Sequence, residues 1–261
     1  MNSVAHRFSR AAQTFERGAS LHRHVAARLI ENMPEPGVIR SGRVLEVGCG
    51  SGVLTESLRR RYPEASLCVL DVAEGMVACV RERWGQDPRM EMVVADIREF
   101  NASHPFDLIV SSSALHWATP LEQTFSNIKR QLSIDGQCCA ALMLDGTLGE
   151  LHALRRRVAP GKTPAGRLPT GGEVLTAVAS AGLKVIFSEE ESIQTRYHSA
   201  DDFLQTIHAQ GLTGGDVSRA ALPLSRSELK RLRRDYDVAF CGNGPGVYAS
   251  FVVQYVRLVV P

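Results

Sequence analysis

Runs of β-forming residues at about 43–48, 66–71, 90–95, 106–111, 137–143, 184–194 and 248–259 alternate with stretches whose apolar residues recur at helical spacing. The alternation predicts an α/β fold, a doubly wound, seven-stranded, mostly parallel sheet with helices on both faces. In the first unit Val44, Leu45 and Val47 form the strand, and Val53, Leu54 and Leu58 the inward face of the next helix. Gly48, Gly50 and Gly52 stand between them. Glycines there let the backbone turn tightly and come close to a ligand, at the carboxyl end of a strand where open α/β sheets bind one. Thr119-Pro120-Leu121-Glu122 reads as an N-cap, a first-turn proline and a glutamate at N3, so a helix is predicted from Pro120. Asp135-Gly136 predicts the turn into the fifth strand.

Three segments fall outside this alternation: residues 1–33, about 145–172 and about 198–246. They are expected to form a helical lid on a single domain, since no internal repeat or low-complexity linker divides the chain. The middle segment contains GKT, but a phosphate loop would need its earlier glycine where Arg156 stands.

The glycine spacing discriminates between cofactors. A dinucleotide fingerprint needs its third glycine at Val53, whereas the chain has Gly-x-Gly-x-Gly. Glu46 precedes the turn, and a carboxylate there would repel a pyrophosphate but suit an ammonium or sulfonium, as in S-adenosylmethionine. Asp71 ends the second predicted strand, where it can accept both ribose hydroxyls. Asp96 ends the third, placed to meet an adenine amino group. Each aspartate alone also reads as a strand-end turn or helix cap.

Composition narrows the class further. The 261 residues are 44% hydrophobic and 22% charged, enough for one large core. A net charge of +2 does not call for nucleic acid as a partner, and no apolar run reaches the ~18 residues of a membrane span. The start MNSVAHRFSR lacks the apolar stretch of a secretory signal, so a cytoplasmic enzyme is expected. Cys49, Cys68, Cys79, Cys138, Cys139 and Cys241 form no C-x-x-C pair and read as small buried hydrophobes; with the histidines scattered, no metal site is expected.

After the fourth strand the chain reads Ser111-Ser112-Ser113-Ala114-Leu115-His116-Trp117. It holds no carboxylate or lysine, and the N/D-P-P-Y run of amino-group methyltransferases is absent. That favours an acceptor already ionised, such as a carboxylate with a pKa near ~4. No catalytic base is then needed, only positioning. His116 reads as a hydrogen-bonded packing residue on the acceptor side or as a base for a hydroxyl acceptor. Trp117 reads as a wall of the acceptor or cofactor site, or as core. Ser112 is a cofactor contact at the strand end, or satisfies backbone groups.

With VLEVGCGSG, LDVAEGM and ADIREF at these intervals, the chain resembles class I S-adenosylmethionine-dependent methyltransferases. The resemblance makes Glu46, Gly48, Gly50, Gly52, Asp71, Val72, Asp96, Ile97 and Ser112 cofactor residues, and His22 a contact for the methionine moiety. The segments VAHRFSRAAQTFERGASLHRHVA, SSSALHWATPLEQTF, LGELHALRRRV, GRLPTGGEVL and LSRSELKRLRRDY further resemble the malonyl-[acyl-carrier protein] O-methyltransferases of biotin synthesis. Phe15 departs from the tyrosine usual there, His22 and His116 from glutamine, and Leu168 from phenylalanine.

This narrower resemblance implies methylation of the free carboxylate of a malonyl thioester on an acyl-carrier protein. An arginine is the natural holder of a carboxylate, and Arg10, Arg23 and Arg167 match arginines that recur in the family. Arg155, Arg156 and Arg157, with Lys230, Arg231, Arg233 and Arg234, are solvated helix faces or the docking surface for an acidic carrier. Three other readings remain: a methyltransferase for a small free acid of the trans-aconitate type, a non-catalytic S-adenosylmethionine-binding protein, and, more distantly, a nicotinamide dehydrogenase, opposed by Val53 and Asp96.

Overall fold

The computed structural model describes residues 3–39, 42–162, 166–210, 222–242 and 244–261. In chain order the elements are α1 (Ser3–Phe15), α2 (Ser20–Glu31), β1 (Arg43–Val47), α3 (Val53–Arg61), β2 (Ser66–Asp71), α4 (Glu74–Trp84), β3 (Met90–Val94) and β4 (Phe106–Ser112). Then come α5 (Leu121–Gln131), β5 (Leu132–Met143), α6 (Gly149–Val158), α7 (Gly171–Ser180), β6 (Lys184–Tyr197), α8 (Ala200–Ala209), α9 (Arg226–Ala239) and β7 (Val247–Val259). No helix among the described residues is long and apolar enough to cross a membrane.

The strands form one sheet in the order β3-β2-β1-β4-β5-β7-β6. β1 to β5 run parallel, and β7 inserts antiparallel between β5 and β6. The doubly wound, mostly parallel sheet is as expected, and its reason is visible in the strands. Along β2, Leu67 and Val69 enter one core while Cys68 and Leu70 enter the other. On the first face α2, α3 and α4 contribute Val25, Leu29, Leu54, Leu58, Val77 and Val80; on the second, α5 and α7 contribute Phe125, Ile128, Val174 and Val178. A strand buried on both sides reads as a continuous apolar run, which is how these strands were recognisable.

Three local expectations need correction. Helix α5 begins at Leu121, with Pro120 as its N-cap and no side-chain cap, so Thr119 does not cap it and Glu122 is not at N3. Instead the Thr124 hydroxyl donates to the Ala118 carbonyl at 2.5 Å. β5 starts at Leu132 rather than 137: the ladder pairs Phe106 with Leu132 and then Leu108 with Gln137, so Asp135-Gly136 lies in an irregularity within the strand. β6 continues to Tyr197 because antiparallel pairing with β7 persists to Tyr197 opposite Val247.

β1 is followed in space by β2 and β3 on one side and by β4 and β5 on the other, so the winding reverses between β1 and β4. The glycine turn after β1 and the serines ending β4 flank this switch point, where crevices of such sheets open.

Candidate functional site

A cleft with about 1030 Å³ of non-protein space opens there. Its floor is the β1 turn from Glu46 to Ser51 with Val53 and Leu54, the ends of β2 and β3 contribute Asp71, Val72, Asp96 and Ile97, and the end of β4 contributes Ser112 and Ser113. Gly52, expected as a cofactor residue, is not in the lining and packs against Trp84, where a Cβ would stand 2.7 Å from the ring. Val4, Phe8 and Phe15 of α1 and His22 and Ala26 of α2 cover it. A Cβ on Gly48 would stand 2.1 Å from the Ala114 Cβ, so only glycine permits this approach of the β1 turn to the β4 end. Gly50 has φ +52° and nothing within 4 Å of where a Cβ would point, leaving its backbone open to the cleft.

The carboxylates are in different electrostatic states. Glu46 is 1% exposed; its Oε2 accepts from the Thr55 hydroxyl at 2.6 Å while Oε1 is sealed without a partner. Burial pushes its carboxyl up to about 8. Asp71 is raised by burial, against backbone hydrogen bonds that favour its ionised form: Oδ1 accepts from Ala73 N at 2.8 Å and Oδ2 from Gly50 N at 3.0 Å. Asp96 is held below its ordinary range by Arg98, whose Nε and Nη2 donate to Oδ1 and Oδ2 at 3.0 and 2.5 Å. The Ser51 hydroxyl is also buried without a partner. These unpartnered atoms, with the open backbone at Gly50, fit a ligand that carries cationic and hydroxyl groups. Cys49 packs in the wall, its thiol raised well above the ordinary value by burial.

A second cavity of about 470 Å³ adjoins the first, lined by Leu21, Met143, Leu148, Leu168, Phe251 and the histidines 22, 116 and 152, with Ser113, Trp117 and Thr147. His116 is buried and its ring nitrogen Nδ1 accepts from Met143 N at 3.3 Å, which leaves the ring proton on Nε2. Burial, then the neighbouring His22, holds its pKa at about 3. His22 is held at about 4 by burial and then by Arg23. Trp117 meets the edge of Phe8, with ring centroids 5.9 Å apart. Ser111 is not in the site: its hydroxyl donates to the Val47 carbonyl at 2.8 Å within the sheet.

The three arginines expected to hold a carboxylate are not brought to either cavity. Arg10 is exposed, and Arg23 is exposed beside a separate surface hollow with Glu16, Glu56 and Arg60. Arg167 forks onto Glu173 at 2.7 and 2.6 Å, anchored to the box that caps α7. Nor do all the expected docking residues project freely. Arg155 donates to the carbonyls of Lys162 and Leu222, and Arg231 to that of Val158. Arg157 and Arg234 pair with Asp235, and Arg233 with Asp201. Arg156 and Lys230 are exposed and, among the described residues, without an ion pair. Of the three segments outside the sheet, the first lines the cleft and the second lines the adjoining cavity through Thr147, Leu148, His152 and Leu168. α8 and α9 of the third line neither, because Phe203, Ile207, Leu232 and Tyr236 are buried in the core beside β7. Residues 163–165 and 211–221 of these segments lie outside the described residues.

Sequence reading missed Val4, Phe8, Ser51, Arg98, His152 and Phe251. The apolar face of α1 was the available signal for Val4 and Phe8; for Phe251, in the strand that crosses the second cavity, there was none.

A methyltransferase-domain family matches residues 44–136. A malonyl-[acyl-carrier protein] O-methyltransferase of Geobacter sulfurreducens is 32% identical over 97% of this chain and 96% of its own length. The chain belongs to the malonyl-[acyl-carrier protein] O-methyltransferase family. A further member from Bacillus cereus is 25% identical, covering 97% of this chain and 94% of that protein. The fold is shared with a proposed methyltransferase of Bacillus halodurans (TM-score 0.63, 12% identity, 90% of this chain and 98% of that one). It is also shared with geranyl diphosphate C-methyltransferase of Streptomyces coelicolor (TM-score 0.55, 14% identity, 93% and 82%). The protein is an S-adenosylmethionine-dependent methyltransferase, and the dehydrogenase and non-catalytic readings fall away.

Proposed function

We propose that this enzyme methylates the free carboxylate of a malonyl thioester carried by an acyl-carrier protein, masking its charge for chain elongation in biotin synthesis. Full-length likeness to enzymes named for that acceptor supports the reading. The observation that carries it within the site is His116. With Nδ1 already accepting from Met143 and a pKa near 3, it cannot usefully take a proton from a hydroxyl. Among the described residues no carboxylate or lysine lines the cavity around it, which favours an acceptor that arrives ionised.

When bound, S-adenosylmethionine supplies an electrophilic methyl group, transferred as an acceptor oxygen bonds the carbon and sulfur takes the C–S electron pair. Asp71 would receive the ribose hydroxyls and Asp96 the adenine amino group, with Val72 and Ile97 as apolar walls. Glu46, Gly48, Gly50, Ser112 and His22 would surround the methionine end, with Gly52 letting the turn pack against Trp84 behind them. The apolar side chains of α1 over the cleft exclude water, and orientation supplies most of the rate. The described chain acts as one domain whose first two segments outside the sheet form the lid. Arg156 and Lys230, with the paired arginines around them, would meet the acidic carrier. A reducing, cytoplasmic setting belongs to this reading, supported by six unpaired cysteines.

The test is to incubate the enzyme with labelled S-adenosylmethionine and malonyl carrier protein, malonyl-CoA or trans-aconitate. Methyl ester on the carrier-bound acceptor in preference to the others is expected. Ester on trans-aconitate alone would replace this reading by the small-acid one.

A further inference from the structure

The two cavities share three residues, His22, Ser113 and Trp117. Each of these carries a polar atom that is sealed from solvent and has no hydrogen-bond partner: His22 Nδ1, Ser113 Oγ and Trp117 Nε1. Buried polar groups are almost always paired, so three unpaired ones meeting at one neck mark a place for a polar ligand group. Ser113 adds an independent sign. Its φ is +57°, a left-handed conformation rare for a residue with a Cβ, and strain of this kind gathers at ligand clamps. Its amide is fixed by donation to the Ala141 carbonyl at 2.9 Å, which sets the direction in which the chain leaves β4.

Among the described residues, neither lysine nor arginine lines the second cavity, and Arg98, the arginine lining the first, is engaged with Asp96. We infer that the acceptor carboxylate is recognised by neutral donors, the Trp117 indole N–H and the Ser113 hydroxyl with His22 as the third group, and that the uncharged arm of the thioester lies along the second cavity. The inference rests on the carboxylate-methylating reading and adds its specificity. A guanidinium fork would engage both carboxylate oxygens and draw charge from them. Neutral donors hold the group while leaving a lone pair of the attacking oxygen reactive. The same walls discriminate between acids. Leu21, Met143, Leu148, Leu168 and Phe251 offer nothing to a second or third carboxylate, the Thr147 hydroxyl is engaged with Val252, and burial keeps His116 and His152 uncharged, so a further carboxylate buried there would meet no cation. The acceptor class is therefore a monocarboxylate on an uncharged thioester arm, and polycarboxylates are rejected.

Trp117→Phe removes the N–H and keeps a smaller aromatic ring toward Phe8, while Ser113→Gly removes the hydroxyl and relieves the left-handed backbone. Each should raise KM for malonyl carrier protein, and the calorimetric Kd for malonyl-N-acetylcysteamine thioester, by roughly ten- to a hundredfold. Far-UV circular dichroism and thermal melting should show that the variants fold, and the calorimetric Kd for S-adenosylmethionine should change far less than the acceptor constants. Unchanged acceptor KM in both variants, or equal losses on replacing Arg10, Arg23 or Arg167, would overturn the neutral clamp. One measurement needs no variant: trans-aconitate should not compete with the thioester for the unmodified enzyme, and effective competition would overturn the inference. Failure of the unmodified enzyme to methylate any malonyl thioester would instead refute the functional reading.

Discussion

Gly50 donates its backbone N–H to Asp71 Oδ2 at 3.0 Å, so the glycine turn after β1 and the acid at the end of β2 are one unit. The other oxygen accepts from Ala73 N. Asp71→Ala should therefore act twice: at least a tenfold loss of cofactor affinity, and a loss of roughly 1–3 kcal/mol in stability from the two unpaired amides. Asp71→Asn, which keeps one acceptor, should lose as much affinity but less stability. Calorimetry and urea melts measure the two effects separately.

Cofactor affinity should depend on the ionisation of Glu46. Its folded pKa of about 8 lies above the unfolded value of about 4.3, so the stability that burial of the protonated form contributes is present below pH ~4 and is lost as pH rises through ~8. A cationic ligand beside Oε1 favours the carboxylate and must expel the proton. Affinity should rise from pH 6 to 8, with proton release at pH 7 detectable by calorimetry in buffers of different ionisation enthalpy. Glu46→Gln should bind more weakly and abolish the proton release.

His116→Asn should retain a substantial part of kcat, because the ring is neutral and Nδ1 is occupied by the Met143 amide. Loss of a general base would instead cost about 10²- to 10⁴-fold. Between pH 6 and 9 the unmodified enzyme should show no limb in kcat with His116 as its source. A collapse of turnover in the variant with normal cofactor binding would mean that the ring takes a proton.

Charge reversal at Arg156 or Lys230 should raise KM for malonyl carrier protein and leave activity on malonyl-CoA nearly unchanged. The carrier reaction alone should weaken with salt, since exposed charges are screened over about 10 Å at 0.1 M. Arg231→Ala should behave differently: its guanidinium is bound to the Val158 carbonyl between α9 and α6, so the loss should be of order 1 kcal/mol of stability rather than of docking. Steady-state kinetics across about 0.05–0.5 M salt, over which the Debye length falls roughly threefold, separates the cases.

The half of the site on β1, β2 and β3 was legible because it is local. A strand and a glycine turn are written in nine consecutive residues from Val44 to Gly52, the helix opens directly after them at Val53, and strand-end acids follow at the intervals a parallel sheet imposes. Arg98 is only two residues from Asp96, yet nothing in spacing told that it would fold back on that carboxylate rather than point to solvent. Arg167 was similarly ambiguous until the Glu173 cap stood beside it.

From the chain alone came the layered architecture, the glycine cradle, the cofactor class and the absence of an obvious base, since each depends on period, turn chemistry or residue type over short stretches. Tertiary structure alone decided which groups meet. His22 on α2, Ser113 after β4 and Trp117 in the turn beyond converge at one neck, while Arg10 and Arg23 face outward. It also set charge states, because Glu46 and His116 owe their shifted pKa values to burial by segments distant in sequence. Hydrophobic spacing says that a side chain turns inward; what stands opposite it, and how much water is left there, follows only from packing the elements together.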